Sequence, residues 1–397
     1  FLDELHWNYA ADIIKAAKVV AETPGLYPVL MTSFKCSPDS FVRDVFQSLM
    51  EGANKPYLIL ELDEHGSSVG YETRIEAAVR AFDNHFHSGR PQRNDAGRIN
   101  PANSSGMQGK TVVLPSWDPI TCRLLAANLR REGIDARAVT ETPDAIRRSM
   151  QLNSGQCIPI NVMAQEFVDY VIENDLDPAN TVLWMGYSEV PCNIRLYPYK
   201  IKEMISSFGR DMAGAEVYAG EISFADVSLR AATNAYFAFM FGGLLRRMAC
   251  RTRPYEKNPG AADRAVEAGI RTLEQAFLGL QDKEAAVIET VKRFEHIETV
   301  AGRRPKVAIF GDLYARDNPV FNQDLISLIE ACGGEALTTP YTDYAKMIAP
   351  AYFKKWFTEG RFASLLVNRG LLATMVYREK VYYRHFQKVL KEPEPVY

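Results

Sequence analysis

Continuous apolar runs of strand length, each followed by a segment of helical periodicity, constrain this chain more than any other feature. "LYPVLMTSF" and "KPYLILELD", then "KTVVLPSW" and "NTVLWMGY", place apolar residues on consecutive rather than alternate positions. A strand with one wet face alternates apolar with polar residues, so an unbroken run needs both faces covered. Between the runs lie "SPDSFVRDVFQSLMEG", "TRIEAAVRAFDNHF" and "ITCRLLAANLRREG", each with helical spacing. Strand and helix in strict alternation predict a parallel sheet with helices on its faces.

That alternation is interrupted, and the interruptions divide the chain. Residues 1–88 form the end of one α/β module, opening with a helix that stops at "TPG". Ser37, Pro38 and Asp39 supply a helix start within it. Residues 89–110 are a linker, part of a run rich in Gly, Pro, Asn, Ser and Arg. Residues 111–222 make an α/β domain, and residues 223–303 carry long amphipathic periods without clear strands, a helical layer. "AYFAFMFGGLL" (235–245) is too short to cross a bilayer and belongs in that layer's core. Residues 304–397 are a second α/β domain, with Gly333 and Gly334 as a helix stop and an aromatic-rich helical tail.

Bulk properties remove several functions. A formal net charge of −3, with no basic stretch, argues against nucleic acid as a partner. No membrane partner is expected, and the absence of a signal peptide reads as cytoplasmic. The opening Phe1 fits a piece of a longer polypeptide. "GMQGKT" is not a phosphate loop: Ser104 replaces the first glycine, and Lys110-Thr111 leads into a strand rather than a helix. "IFGDLYARDN" is likewise not a dinucleotide fingerprint.

Six cysteines in 397 residues are too few for a disulfide scaffold, and no CxxC pair occurs. Cys122 and Cys332 are expected on helix core faces, where a free thiol acts as a small apolar group. Cys250 ends an apolar helix among arginines that could lower its pKa, although packing is the simpler reading. Cys36, Cys157 and Cys192 differ in kind: each lies in a loop or at a strand end, with proline nearby. Strand carboxyl ends in such sheets converge on one crevice, and thiolates meeting there suit an iron–sulfur cluster with one iron left open. Simple burial of the three is the alternative. His85 and His87 read as a solvated helix end. Asp63, His65 and Arg74 flank the loop after the second apolar run, where they would line a site wall or form a structural ion-pair cluster.

Several of these stretches resemble one family. "TSFKCSPDSFV" followed by "KPYLILELDEHGSSVGYETRIEAAVRAF" is similar to the closing section of proteins related to the 2-hydroxyacyl-CoA dehydratases and their ATP-dependent activases. "KTVVLPSWDPI", "GQCIPI" and "EVPCNIRLYPYKIKEM" resemble the start of the companion dehydratase-like module, and "KVAIFGDLYARDNPVFNQDLISLIEACGGE" its following domain. The resemblance implies an α/β fold of stacked Rossmann-like three-layer domains with parallel sheets and a helical layer. It also implies a cysteine-ligated iron–sulfur cluster of the [4Fe-4S] type, with Cys157 and Cys192 as a pair and Cys36 as a third-type ligand. Family modules place that third cysteine after the pair, whereas Cys36 precedes it. Either Cys36 completes an upstream site in a fused protein, or the fold gathers all three. Asn193 stands where related modules often carry arginine, with Arg195 close by.

The expectation is an iron–sulfur dehydratase or reductase component that receives one electron from an ATP-dependent activase, fused or separate. Its substrate would be a 2-hydroxyacyl-CoA thioester or another small molecule, with His65, Asp63 and Arg74 as catalytic candidates. A dimer, or a place in a larger polypeptide, is expected. A non-catalytic electron relay or scaffold that docks an activase is the rival.

Overall fold

The computed structural model describes residues 7–33, 38–62, 68–88, 106–152, 158–187, 193–209, 211–221 and 224–392. The first unit contains α1 (Asn8–Glu22), β1 (Val29–Ser33), α2 (Pro38–Gly52), β2 (Leu58–Leu62) and α3 (Ser68–His87). Ala10, Ile14, Ala17 and Ala21 recur at helical spacing on α1 and are buried, so one stripe of the helix packs against α2. β1 and β2 pair in parallel, Val29 opposite Leu58 through Ser33 opposite Leu62. Leu30 and Leu60 turn inward, while Val29 and Met31 remain half exposed or more. The double coverage expected for an unbroken apolar run is therefore incomplete in this two-stranded sheet. α3 explains it, because Ala78 alone is buried among that helix's described side chains.

The central unit follows the α/β rule more closely. β3 (Thr111–Leu114), α4 (Pro119–Arg131), β4 (Asp135–Ala138), α5 (Pro143–Ser149), α6 (Ile158–Glu173), β5 (Thr181–Tyr187), α7 (Tyr197–Ser206) and β6 (Glu216–Glu221) form it. Its four strands are all parallel, in the order β4-β3-β5-β6. Val112, Val113, Leu114, Val182 and Leu183 are fully buried, as strands covered on both faces require. Helix starts are specified locally: Asp118 accepts from the Ile120 and Thr121 amides at 3.1 and 3.2 Å, and Thr142 accepts from Ala145 at 3.2 Å. Each is followed by a proline at the first helical position, where its missing N–H does no harm.

α8 (Leu229–Thr252), α9 (Ala261–Leu278) and α10 (Lys283–Glu295) form the helical layer. α8 is buried on every side from Ala235 to Cys250, so "AYFAFMFGGLL" is the core of this layer. Gly243 lets α8 approach another segment closely; a Cβ there would sit 2.6 Å from the Pro340 Cα. The last unit holds β7 (Lys306–Ala308), α11 (Leu313–Asp317), α12 (Leu325–Ala331), β8 (Glu335–Leu337), α13 (Tyr341–Thr358) and α14 (Phe362–Leu390). β7 and β8 are parallel neighbours, and Gly333 takes φ +90° just past α12, ending it as expected. One continuous apolar core runs from α1 to α14. Among the described residues, no helix is long and apolar enough to cross a membrane.

Candidate functional site

Cys36, Cys157, Cys192, Asp63 and His65 lie outside the described residues, but the elements on either side of them are defined. β1 ends three residues before Cys36, and α2 starts two residues after it. Cys157 immediately precedes α6; Cys192 immediately precedes a short 3-10 turn (Asn193–Leu196) that leads into α7. Each cysteine thus stands just ahead of a helix. Those helices are neighbours: α6 packs on α7, and α2 meets α7 through Phe41 and Tyr197, whose rings stack at 6.0 Å. Lys200 on α7 pairs with Asp44 on α2 at 2.6 Å in a largely buried contact. Burial works against the Lys200 charge, yet the Asp44 and Glu203 carboxylates outweigh it and raise its pKa. Asp63 follows β2 directly, and Arg74 is exposed on α3.

The other cysteines separate by burial. Cys122 is fully buried and donates its S–H to the Pro115 carbonyl at 3.3 Å. Burial, then the Asp118 charge, holds its thiol well above the usual range. Cys250 is buried too, and burial pushes it up to about 11 despite Arg253 and Arg246 beside it. The arginines lose that contest, so Cys250 is a packed thiol. Cys332 corrects an expectation. It is exposed, because α12 is only seven residues long and Cys332 is its C-cap rather than a member of its inner face. His85 also differs from a solvated helix end: its Nδ1 lies 2.8 Å from the Tyr27 hydroxyl and its Nε2 3.1 Å from the Asn54 carbonyl. His87 is exposed.

Sequence reasoning missed a buried polar cluster beyond the carboxyl ends of β3 and β4. Ser116 lies two residues past β3, Glu141 three residues past β4, and Glu166 faces them from α6. Glu141 and Glu166 are 5% and 2% exposed. Tyr314 donates to Glu141 Oε2 at 2.7 Å, and Asn318 Nδ2 donates to the same oxygen and to the Ser116 carbonyl. Burial raises both carboxyl groups, Glu166 the more, because the Glu141 charge adds to its burial. The Tyr314 and Asn318 hydrogen bonds work against that rise at Glu141, and Glu166, without those donors, is raised further. The available signal was Glu166 in "NVMAQEFVDYV", set beside the apolar Val162, Met163, Phe167 and Val168.

This pair sets a pH dependence with a definite sign. A carboxyl group raised on folding holds its proton more tightly in the native chain, so stability is full below the ordinary glutamate value of 4.5. It declines as pH rises through the folded value. Glu166→Gln, which imitates the protonated acid, should flatten that decline, whereas Glu141→Gln keeps one acceptor oxygen but replaces charge-assisted hydrogen bonds with neutral ones and should cost about 1 kcal/mol at neutral pH. Urea melts between pH 5 and 9 measure both; a Glu166→Gln curve parallel to wild type would exclude Glu166 as the source of the decline.

Beside the pair lies a buried ion network. Asp118, the α4 cap, contacts Arg246 from α8, and Arg246 reaches Asp317 at 3.2 Å. Arg316 holds the other Asp317 oxygen at 2.6 Å. A cavity of about 370 Å³ opens next to it, lined by Arg246, Arg253 and Arg316 with Asp263 and Asp324, and by the apolar Ile120 and Ile326. Charges of both signs alternate around it, so it presents no net field to a polyanion. Among the described residues, no group of three or more His, Cys, Asp and Glu could hold a metal ion. No family model, no curated protein and no solved structure matches this chain.

Proposed function

We propose that this chain is an iron–sulfur component that receives one electron from an ATP-dependent activase and acts on a 2-hydroxyacyl-CoA or another small molecule. One observation carries the reading: of the helices that follow Cys36, Cys157 and Cys192 in the chain, α7 packs on α6 and meets α2. That packing favours a single site over two, even though Cys36 comes first in the chain. Thiolates are soft ligands that suit iron and sulfide rather than a hard cation. When bound, such a cluster supplies one-electron transfer and a Lewis-acidic iron.

The chain's own residues would do the rest. Asp63 follows β2 at the carboxyl end of its sheet, the position where open α/β sheets bind ligands. His65 is the group whose ordinary pKa suits proton transfer near neutrality, and Arg74 is placed to attract an anionic substrate group. A relay that only docks the activase would need none of these three, so His65→Ala separates the readings: lost turnover with a retained cluster marks an enzyme.

Anaerobic purification with iron and sulfide analysis is the direct test. Wild type should be coloured, and Cys157→Ser and Cys192→Ser should each lose the visible absorption. A colourless, iron-free wild type would sink the proposal. Cys36→Ser with a full cluster would remove that residue from the ligand set.

A further inference from the structure

A second cavity, about 200 Å³, lies between α8, α13 and α14. Its walls combine rings with small residues: Phe239, Tyr352 and Trp356 supply aromatic faces, and Ala232, Ala345 and Ala349 leave the space between them. The rings are ordered among themselves, Tyr352 and Trp356 at 5.8 Å on α13, and Phe239 of α8 at 4.9 Å from Tyr341. Pro350 interrupts α13 beside Ala349 and removes one helical hydrogen bond there. Larger side chains at the alanines would fill this volume, and the chain does not use them.

Polar anchors keep the three helices at fixed spacing. Tyr236 of α8 donates to Glu379 of α14 at 2.8 Å, and Lys346 of α13 bridges Glu379 and Asp343, each at 3.0 Å. Glu379 and Asp343 are 3% and 6% exposed, so the anchors act where water does not screen them. The cavity is therefore built before any ligand arrives, as small-molecule sites generally are. One polar group among its lining residues has no partner. Thr342, 1% exposed, lines the cavity, and among the described residues its hydroxyl has no hydrogen-bond partner. Burying a hydroxyl unsatisfied is unfavourable, and a ligand atom that pairs with it removes the penalty.

We propose that this cavity binds a small neutral aromatic molecule: one ring between the Phe239 and Trp356 walls, with a hydroxyl that pairs with Thr342. The volume decides the size. A dry apolar cavity of roughly 150 Å³ accommodates benzene, so this one holds a ring with a substituent or two. Charge decides the rest. Lys346 is matched by two carboxylates, and the second Asp343 oxygen is buried without a hydrogen-bond partner among the described residues, so an anion is disfavoured here.

Trp356 makes the site measurable. The full chain, which has four tryptophans, is titrated with 4-methylphenol and with toluene while its fluorescence is followed. Both should give saturable changes, lost in Trp356→Phe but still detected by calorimetry. Thr342→Val should weaken 4-methylphenol about tenfold and leave toluene unchanged, because only the former uses the hydroxyl. Ala349→Phe should weaken both by more than about tenfold by occupying the space. Circular dichroism checks that each variant folds, and Ala345→Leu replaces Ala349→Phe if that variant does not. Absence of saturable binding to folded wild type overturns the proposal, as does wild-type affinity in a folded cavity-filling variant.

Discussion

Arg246→Met should destabilise this protein by roughly 3–5 kcal/mol, more than a typical core truncation by one methyl group. The reason is what the substitution leaves behind. Arg246 is almost wholly buried, as are its partners Asp118 and Asp317, so no water is available to take over its role. Burial alone would drive the guanidinium towards neutrality, yet the two aspartates outweigh it and raise its pKa. Methionine fills similar space but strands two carboxylates in a dry environment. Asp317 keeps Arg316; among the described residues, Asp118 keeps the Thr121 hydroxyl and the α4 amides. The double variant Asp118→Asn/Arg246→Met should therefore recover part of the loss, since asparagine caps a helix about as well as aspartate. Denaturant melts of the single and double variants decide it. A single variant within about 1 kcal/mol of wild type would mean that the network contributes little beyond its volume.

The second large effect comes from a hydrogen atom. Gly243→Ala should cost about 2 kcal/mol net, although alanine is the better helix former by about 1 kcal/mol. The new Cβ would lie 2.6 Å from the Pro340 Cα and 2.8 Å from its Cβ. Carbon atoms prefer about 3.5–4.0 Å, and backbone cannot swing aside as a side-chain tip can. α8 or the start of α13 must shift. A Cβ added at Gly370 on α14 would meet nothing within 4 Å, so Gly370→Ala should stabilise by up to ~1 kcal/mol. The same chemical change with opposite signs at two helical sites isolates contact from propensity. Equal stabilisation at both would refute the close approach.

Most of the α/β framework was legible because its signals are local. Unbroken apolar runs marked β1, β2, β3 and β5, and helical spacing marked α4, whose Asp118 cap the structure then revealed. β6 escaped notice for an equally local reason. "EVYAGE" has polar ends and a glycine, since an edge strand bonds to one neighbour only and its ends need not be buried. The Glu141–Glu166 pair escaped because its logic is not local: the fold brings a loop residue and a helix residue together, and the donors to Glu141 come from far along the chain. Cys332 shows the limit of a periodic reading, for the last residue of a short helix no longer follows its inner face.

The contacts that close the Glu141 cluster also order events in time. Tyr314 is 173 residues beyond Glu141, and Asn318 is 202 beyond Ser116. At synthesis rates of roughly 5–20 residues per second, the partners leave the ribosome some 10–40 s after the groups they satisfy. Through that interval β3, β4 and α6 have Glu141 and Glu166 but neither donor, so water must serve both carboxyl groups. The central sheet consequently matures with a wet edge, and arrival of the Tyr314 segment is the step that dries it. A nascent chain halted before Tyr314 would be an α/β layer with its most polar side open.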